Sequence, residues 1–481
     1  IRLSQLSLHR PRQWGACWLA CHLWEQLGLD RFWAQRLPPS RKGTRWDWVL
    51  QVLVAYRLID PGSEWRLYRH WYEHSAMADL LGADQELAEI HKLYECHEHL
   101  LEHKRELFTH LTGRWKDLFN AQFEVLLYDL TSTYFESDPP FPEEDKRRYG
   151  YSRDKRSDCV QVVIALIVTP EGFPLAYEVL SGNTSDKATL AGFLQKIQDQ
   201  YGKAQRVWVM DRGIPTEKVL EQMRASDPPV QYLVGTPRGR LSQYEQKLLE
   251  LPWQIVREGV SVKLLSEDSE LYVLAQSRDR VHKERARRRR QLKGLWQRLK
   301  KLQAMKLKRD ALLKKLGAAL HTYPVAARLL DPTVLPKEAK LTFTLCKDKL
   351  RQARKREGRY LLRTNITSGR TAEELWQFYI QLTEVEAAFK NLKDDLALRP
   401  IYHQLEHRIE AHIFLSFLAY CLHITLRRRL RDLAPGLTAR SVLGKFATVQ
   451  MLDVHLPTTD ERTVILSRYT HPETDVQLLL Q

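Results

Sequence analysis

The chain has 481 residues, with 75 Lys and Arg against 59 Asp and Glu, a net charge of +16 at pH 7. With 13 Trp, 19 Tyr and 14 Phe it is too aromatic to be disordered throughout, and 21 Gly with 21 Pro exclude a collagen-like or low-complexity chain. Six Cys are too few for a disulfide scaffold and fit a reduced, intracellular compartment.

Residues 1 to about 118 read as helical. Leu50, Val52, Leu53, Tyr56 and Leu58 form one apolar patch, and a second stretch runs from residue 87 to 119. The first 25 residues lack the apolar segment of a secretory signal. His91, Cys96, His97, His99, His103 and His110 lie close together, but their spacing matches no standard zinc pattern. From about residue 123 the period changes. Residues 124–129 are a short apolar run ending in Asp129, and strands are expected at 159–168 and 174–180. A helix at 186–198, a strand at 206–210, a helix at 216–224 and a strand at 231–235 complete a mixed α/β layered domain. Alternating strands follow at 253–276, then a basic helix, then strands at 341–346 and 360–363. Helices resume at 371 and run to about 433, and 434–481 mixes short helix and strand. The longest apolar candidate for a bilayer, 412–426, is only about 15 residues and suits a buried helix better.

One segment carries nearly all the charge imbalance. Between Arg278 and Lys315 there are 17 Lys and Arg against 3 Asp and Glu. It includes Arg287, Arg288, Arg289 and Arg290, while Leu292, Leu295, Leu299 and Leu302 recur at helical spacing. Such a helix can neutralise phosphates; a solvated helical hairpin and a membrane-surface helix are the alternatives.

Two aspartates each end a strongly apolar strand, Asp129 and Asp211. A carboxylate there faces a desolvation cost unless it has a partner, and two on neighbouring strands suggest a shared cation. Further on, Tyr379, Leu382, Glu386, Phe389 and Lys393 step by three and four, which puts them on one helix face with an acid aimed inward. The plainer reading is a surface ion pair of Glu386 with Lys390 or Lys393.

These features occur in the order of a known family. Tyr128-Asp129-Leu130-Thr131, then Gly150-Tyr151-Ser152-Arg153-Asp154-Lys155-Arg156-Ser157-Asp158, then Gly182-Asn183-Thr184-Ser185-Asp186 and Asp211-Arg212-Gly213 resemble the motifs of DDE transposases of bacterial insertion sequences. Tyr379, Leu382, Glu386 and Lys393 resemble the third motif of the branch with a β-strand insertion, with Leu382 where many relatives have Arg. Leu398-Arg399-Pro400-Ile401-Tyr402-His403, then Arg408, Ile409, Ala411 and His412, are also typical.

The resemblance implies an α/β fold: an RNase H-like catalytic core interrupted by a β-rich and basic-helix insertion, preceded by a helical N-terminal domain. The expected divisions are a DNA-binding region at 1–118, the core at 119–240 and 366–433, the insertion at 241–365 and a C-terminal region at 434–481. Asp129, Asp211 and Glu386 would be the catalytic residues and the ligands of two Mg²⁺ ions, with Mn²⁺ substituting. The implied reaction is phosphodiester hydrolysis at the element's ends, then transfer of the 3′-hydroxyl ends into target DNA. Tyr379 and Lys393 would contact a phosphate. Arg153, Lys155, Arg156, Arg399, His403 and Arg287 to Arg290 would contact DNA. The implied partners are double-stranded DNA and a second copy of the chain in the DNA complex, without a membrane, in a bacterial cytoplasm at the nucleoid. An inactive DNA-binding derivative and a nuclease that cuts without joining are the competing readings.

Overall fold

The computed structural model describes residues 3–136, 141–202, 205–236, 244, 247–248, 250–267, 269–335 and 340–480. Its strands, in chain order, are β1 (Ser7–Gln13), β2 (Val125–Phe135), β3 (Val160–Val168), β4 (Pro174–Ser181), β5 (Val207–Met210), β6 (Gln231–Gly235), β7 (Gln254–Arg257), β8 (Val260–Glu267), β9 (Glu270–Ser277), β10 (Leu330–Val334), β11 (Leu341–Leu345), β12 (Arg359–Thr364), β13 (Gln450–Pro457) and β14 (Thr463–Tyr469). The fold is mixed α/β. The chain divides into two compact units, Ile1–Gln231 with Ile380–Gln481, and Tyr232–Tyr379. The expected boundary at 240–241 lies outside the described residues.

In the first unit the strands lie in the order β4-β3-β2-β5. β3 is antiparallel to both neighbours, and β2 runs parallel to β5. Every residue of β3 is buried, as its unbroken apolar run requires of a strand covered on both faces. The helix Glu406–Leu433 supplies much of the core. Tyr177 of β4 stacks on its Phe417 at 4.0 Å, and Trp115 Nε1 donates to Thr425 Oγ1 at 3.0 Å. By length and composition this helix could cross a membrane, but 94% of its apolar window is buried inside the fold.

The expectation that residues 1–118 are helical is corrected at one place. Ser7–Gln13 is a strand, paired with β13, which pairs in turn with β14. Its sequence, Ser-Leu-His-Arg-Pro-Arg-Gln, has no strand alternation, so only a partner distant in sequence reveals it. Buried Arg12 anchors it, donating to Asp453 at 2.9 and 3.0 Å and pairing with Asp79 at 2.8 Å.

The second unit holds the order β6-β12-β9-β8-β7, antiparallel at the pairings β12–β6, β12–β9, β9–β8 and β8–β7. The basic helix, Arg278–Ala304, folds back as a hairpin with Arg309–Thr322. Leu295, Leu299 and Leu302 pack there against Leu312, Leu316, Leu330 and Leu341, so the apolar stripe is a real core and the basic residues clothe it.

Two glycines close the first unit around its site. Backbone bonds Arg148 N to Gln161 O (3.1 Å), Gln161 N to Arg148 O (2.9 Å) and Gly182 N to Lys146 O (2.9 Å) draw three segments together. A Cβ on Gly150 would overlap the Gly182 carbonyl, and one on Gly182 would overlap the carbonyls of Gln161 and Arg148. Gly is therefore required by close backbone approach rather than by its φ. Gly182→Ala is expected to destabilise the chain by more than about 3 kcal/mol. Gly317→Ala, in an exposed helix with open space around the new methyl, should gain up to about 1 kcal/mol. Urea unfolding of both variants checks the contrast; equal midpoints would refute it.

Candidate active site

Backbone register brings the first two acids together. Tyr128 of β2 pairs with Met210 of β5 in a parallel ladder. Asp129 and Asp211 are the next residue on each side, so both emerge at the same end of that ladder, where parallel α/β sheets place ligand sites. Asp129 does not end its strand, contrary to expectation. β2 runs on to Phe135, and Asp129 pairs with Leu166 of β3. Thr131, Ser132 and Thr133 resemble turn residues after an acid, but threonine is at home in a strand that has a partner. What stops at Tyr128 is the pairing with β5.

Asp211 opens an exposed turn. Gly213 takes φ +95° there, a conformation that favours glycine. Buried Ile214 pins the turn, and Thr216 caps the next helix by accepting from Val219 N at 3.2 Å.

Glu386 comes from the helix Leu382–Lys390, which packs on β2 and β3. Val385, Ala388 and Phe389 form its buried face, and Glu386 is exposed. This corrects the expected inward acid. The five residues from Tyr379 to Lys393 also do not share one helix. Ala372–Ile380 stops before Gln381, and Asn391–Asp395 is a π-turn. A run of good helix formers hides both changes of register. Tyr379 belongs to the second unit, where it stacks on Tyr360 at 5.8 Å.

The three acids act on one another. Burial pushes the Asp129 carboxyl up to about 7, and the negative charges of Asp211 and Glu386 push the same way. The Leu130 amide, donating to Asp129 Oδ1 at 2.8 Å, and the charge of Arg153 oppose the rise. Neither Lys390 nor Lys393 pairs with Glu386 among the described residues, which leaves the surface-ion-pair reading without its partner. Three carboxylates offer only hard oxygen donors, and their mutual repulsion is what a divalent cation would relieve. The donor set therefore fits Mg²⁺.

The basic residues fall into different situations. Lys393 Nζ is held by Asp154 at 3.0 and 3.1 Å, and Arg399 Nη1 reaches the same carboxylate at 2.9 Å. Arg153 bonds Asp186, and its amide donates to Ser132 Oγ of β2 at 3.3 Å. Arg156 bonds Asp158 and Glu136. Lys155 is exposed at φ +62°. Arg287, Arg289 and Arg290 are exposed on the basic helix. Two of the expected DNA contacts are mostly buried. Arg288 is 5% exposed and paired with Glu357. His403 is 7% exposed and turned toward Glu64. Sequence reasoning missed Asp154 as the common partner of Lys393 and Arg399. Its place in the Gly150–Asp158 motif was the available signal.

Asp129 gives the apo protein a defined pH response. The folded state holds its proton up to about 7, whereas an unfolded chain releases it near 4. Ionisation therefore costs the folded state nothing below about pH 4, and the cost is complete above about pH 7. In chelator, Asp129→Asn should be more stable than the wild type at pH 8 by about 2 kcal/mol, a value reduced for partial solvent access. The gain should vanish at pH 4. Urea midpoints at both pH values check this; a gain independent of pH would refute it.

The family model of the transposase DDE domain matches residues 121–422, well over half the chain. The cryo-EM structure of the piggyBac transposase synaptic complex with hairpin DNA is similar at 9% identity and a TM-score of 0.41, covering 90% of this chain and 79% of that one. No curated protein matches the sequence. Through that match over residues 121–422, the chain belongs to the transposase DDE domain family.

Proposed function

We propose that the chain is a DNA transposase of an insertion sequence, whose core is RNase H-like. It binds the ends of its element, cleaves phosphodiester bonds and transfers the 3′-hydroxyl ends into target DNA. The observation that carries this reading is the Tyr128–Met210 register, which sets Asp129 beside Asp211 where the charge of Glu386 also acts.

Asp129, Asp211 and Glu386 would hold two Mg²⁺ ions, with Mn²⁺ able to replace them. Bound there, the ions would activate the attacking oxygen and stabilise the leaving 3′-oxygen. The residues of the chain do the rest. Asp129 must give up its proton to act as a ligand, so its raised affinity makes the site proton-sensitive near neutral pH. Arg153, tied to Ser132 of β2, lies beside the acids and can bind a phosphate that approaches them. Lys393 and Arg399 share the Asp154 carboxylate, and Arg399 also reaches Asp394 at 3.9 Å. A phosphate would meet two cations already held in place there. Lys155 and Arg156 extend the same loop. The helices of residues 1–118 would recognise the element's ends through the major groove, and two copies of the chain would bring two ends together. A bacterial cytoplasm, at the nucleoid and away from membranes, is the setting this implies. The expected divisions at 118, 365 and 433 belong to this proposal as well.

Cleavage of a labelled duplex carrying the element's end, in Mg²⁺, tests the reading. Asp211→Ala should keep DNA affinity and cut about 10³-fold more slowly. The wild type should yield joined strands as well as nicks. Nicks without joints would leave a nuclease, and a wild type that binds without cutting in Mg²⁺ or Mn²⁺ would leave an inactive binding protein.

The basic helix gives a second test. The Arg287→Ala, Arg289→Ala, Arg290→Ala triple variant should bind DNA more weakly at low salt. Its slope of log affinity against log salt should be shallower by about 2 to 3. Arg288→Ala, which strands buried Glu357, should instead lower stability, by about 3 kcal/mol. Affinity across a salt series and urea unfolding separate the two; an unchanged slope in the triple variant would remove this helix from the DNA interface.

A further inference from the structure

Away from the three acids, a buried cluster in the first unit has no place in the proposed reaction. Glu64, His97, His403 and His412 are 4%, 1%, 7% and 3% exposed. They come from separate segments. Glu64 begins a short turn capped by Ser63. His97 follows the helix Ile90–Cys96. His403 lies before the helix Glu406–Leu433, and His412 lies within it.

Three imidazoles converge on one oxygen. Glu64 Oε1 is 3.4 Å from His403 Nε2, 3.7 Å from His97 Nε2 and 3.7 Å from His412 Nδ1. These separations are long for hydrogen bonds. They are close to the spacing of about 3.4 Å between donors that sit about 2.1 Å from a tetrahedral zinc ion.

The tautomer of His97 sharpens the point. Its Nδ1 lies 2.8 Å from the Leu93 carbonyl oxygen, which can only accept. Nδ1 therefore carries the hydrogen, and Nε2 presents a lone pair. That buried nitrogen has no hydrogen-bond partner among the described residues, yet it faces a carboxylate oxygen. Two acceptors in that arrangement repel unless a cation lies between them. His412 Nε2 is likewise buried and without a partner.

We propose that Glu64, His403 and His412, whose ligand atoms all lie within 4.8 Å of one another, hold one divalent transition metal, zinc by its two nitrogen donors and one oxygen, with the lone pair of His97 facing the same carboxylate. Arg57 is the rival cation. Its Nη2 stands 3.8 Å from Glu64 Oε1 and 3.5 Å from His412 Nδ1, while Nη1 donates to the Ala397 carbonyl at 3.1 Å. Among the described residues it makes no hydrogen bond to His97 Nε2. The metal would fasten the 397–412 stretch, which follows Lys393 and contains Arg399, to the N-terminal helices.

Metal content decides the matter without any need for cleavage activity. The full chain, purified without added metal and dialysed, should retain about one zinc by plasma mass spectrometry. Cobalt exchanged into it should give the intense visible bands of a tetrahedral ion. His403→Ala and His412→Ala should weaken cobalt binding by more than about 100-fold. Asp211→Ala should retain the zinc, which separates this site from the three acids. A wild type that is folded by circular dichroism, holds no zinc and takes up neither zinc nor cobalt on titration would overturn the proposal. Its cluster would then be a metal-free histidine network around Arg57 and Glu64. Loss of the zinc in Asp211→Ala would overturn it too.

Discussion

A carboxylate largely buried in the middle of an apolar sheet, with two further acids acting on it, is the constraint on which the candidate site depends. Asp129 is that carboxylate. Its neighbours on the sheet are the wholly buried residues of β3, so water screens it poorly. The Leu130 amide and the charge of Arg153 are its counterweights. Neither cancels the burial, and the carboxyl holds its proton to about 7. Such a site is costly to the empty protein and suited to a cation, a trade found where function outweighs stability. The other two acids escape the cost by exposure. Asp211 lies in a turn and Glu386 on the outer side of its helix.

The sheet that holds these acids was largely legible in the sequence, because its strands are apolar runs with turn residues between them. β3, β4 and β5 fall where residues 159–168, 174–180 and 206–210 predict strands. Errors arose where a long-range partner overrode local pattern. Thr131 to Thr133 continue a strand because β3 lies alongside. Ser7–Gln13 becomes a strand because β13, over 400 residues later, accepts it. The break at Gln381 has no Pro or Gly to announce it, so the face shared by Tyr379 and Lys393 existed only on an ideal helical wheel.

Charge was legible as composition but not as contact. The excess in Arg278–Lys315 is plain in the sequence, and the leucine stripe correctly gives the buried side of that helix. Arg288 lies among three exposed arginines and is nevertheless buried, because Glu357 waits beneath it. An acid 69 residues away cannot be inferred from a run of four identical residues. His403 differs in the same way. It sits in a motif rich in basic residues, and Glu64 draws it inward across 339 positions.

Asp154 illustrates how one acid can prepare a basic surface. Lys393 and Arg399 would repel each other if brought together alone; burial already lowers the proton affinity of Lys393. Asp154 accepts from both and fixes their distance. Arg399 also reaches Asp394 at 3.9 Å, so two acids hold the two cations at a defined position. Under the proposed function this is a favourable state in which to meet a phosphate. The two cations are held in place beforehand, so less side-chain entropy is lost on binding. Had Asp154 been absent, Lys393 would lose the carboxylate that holds it, and its charge would bind an anion with less fixed geometry.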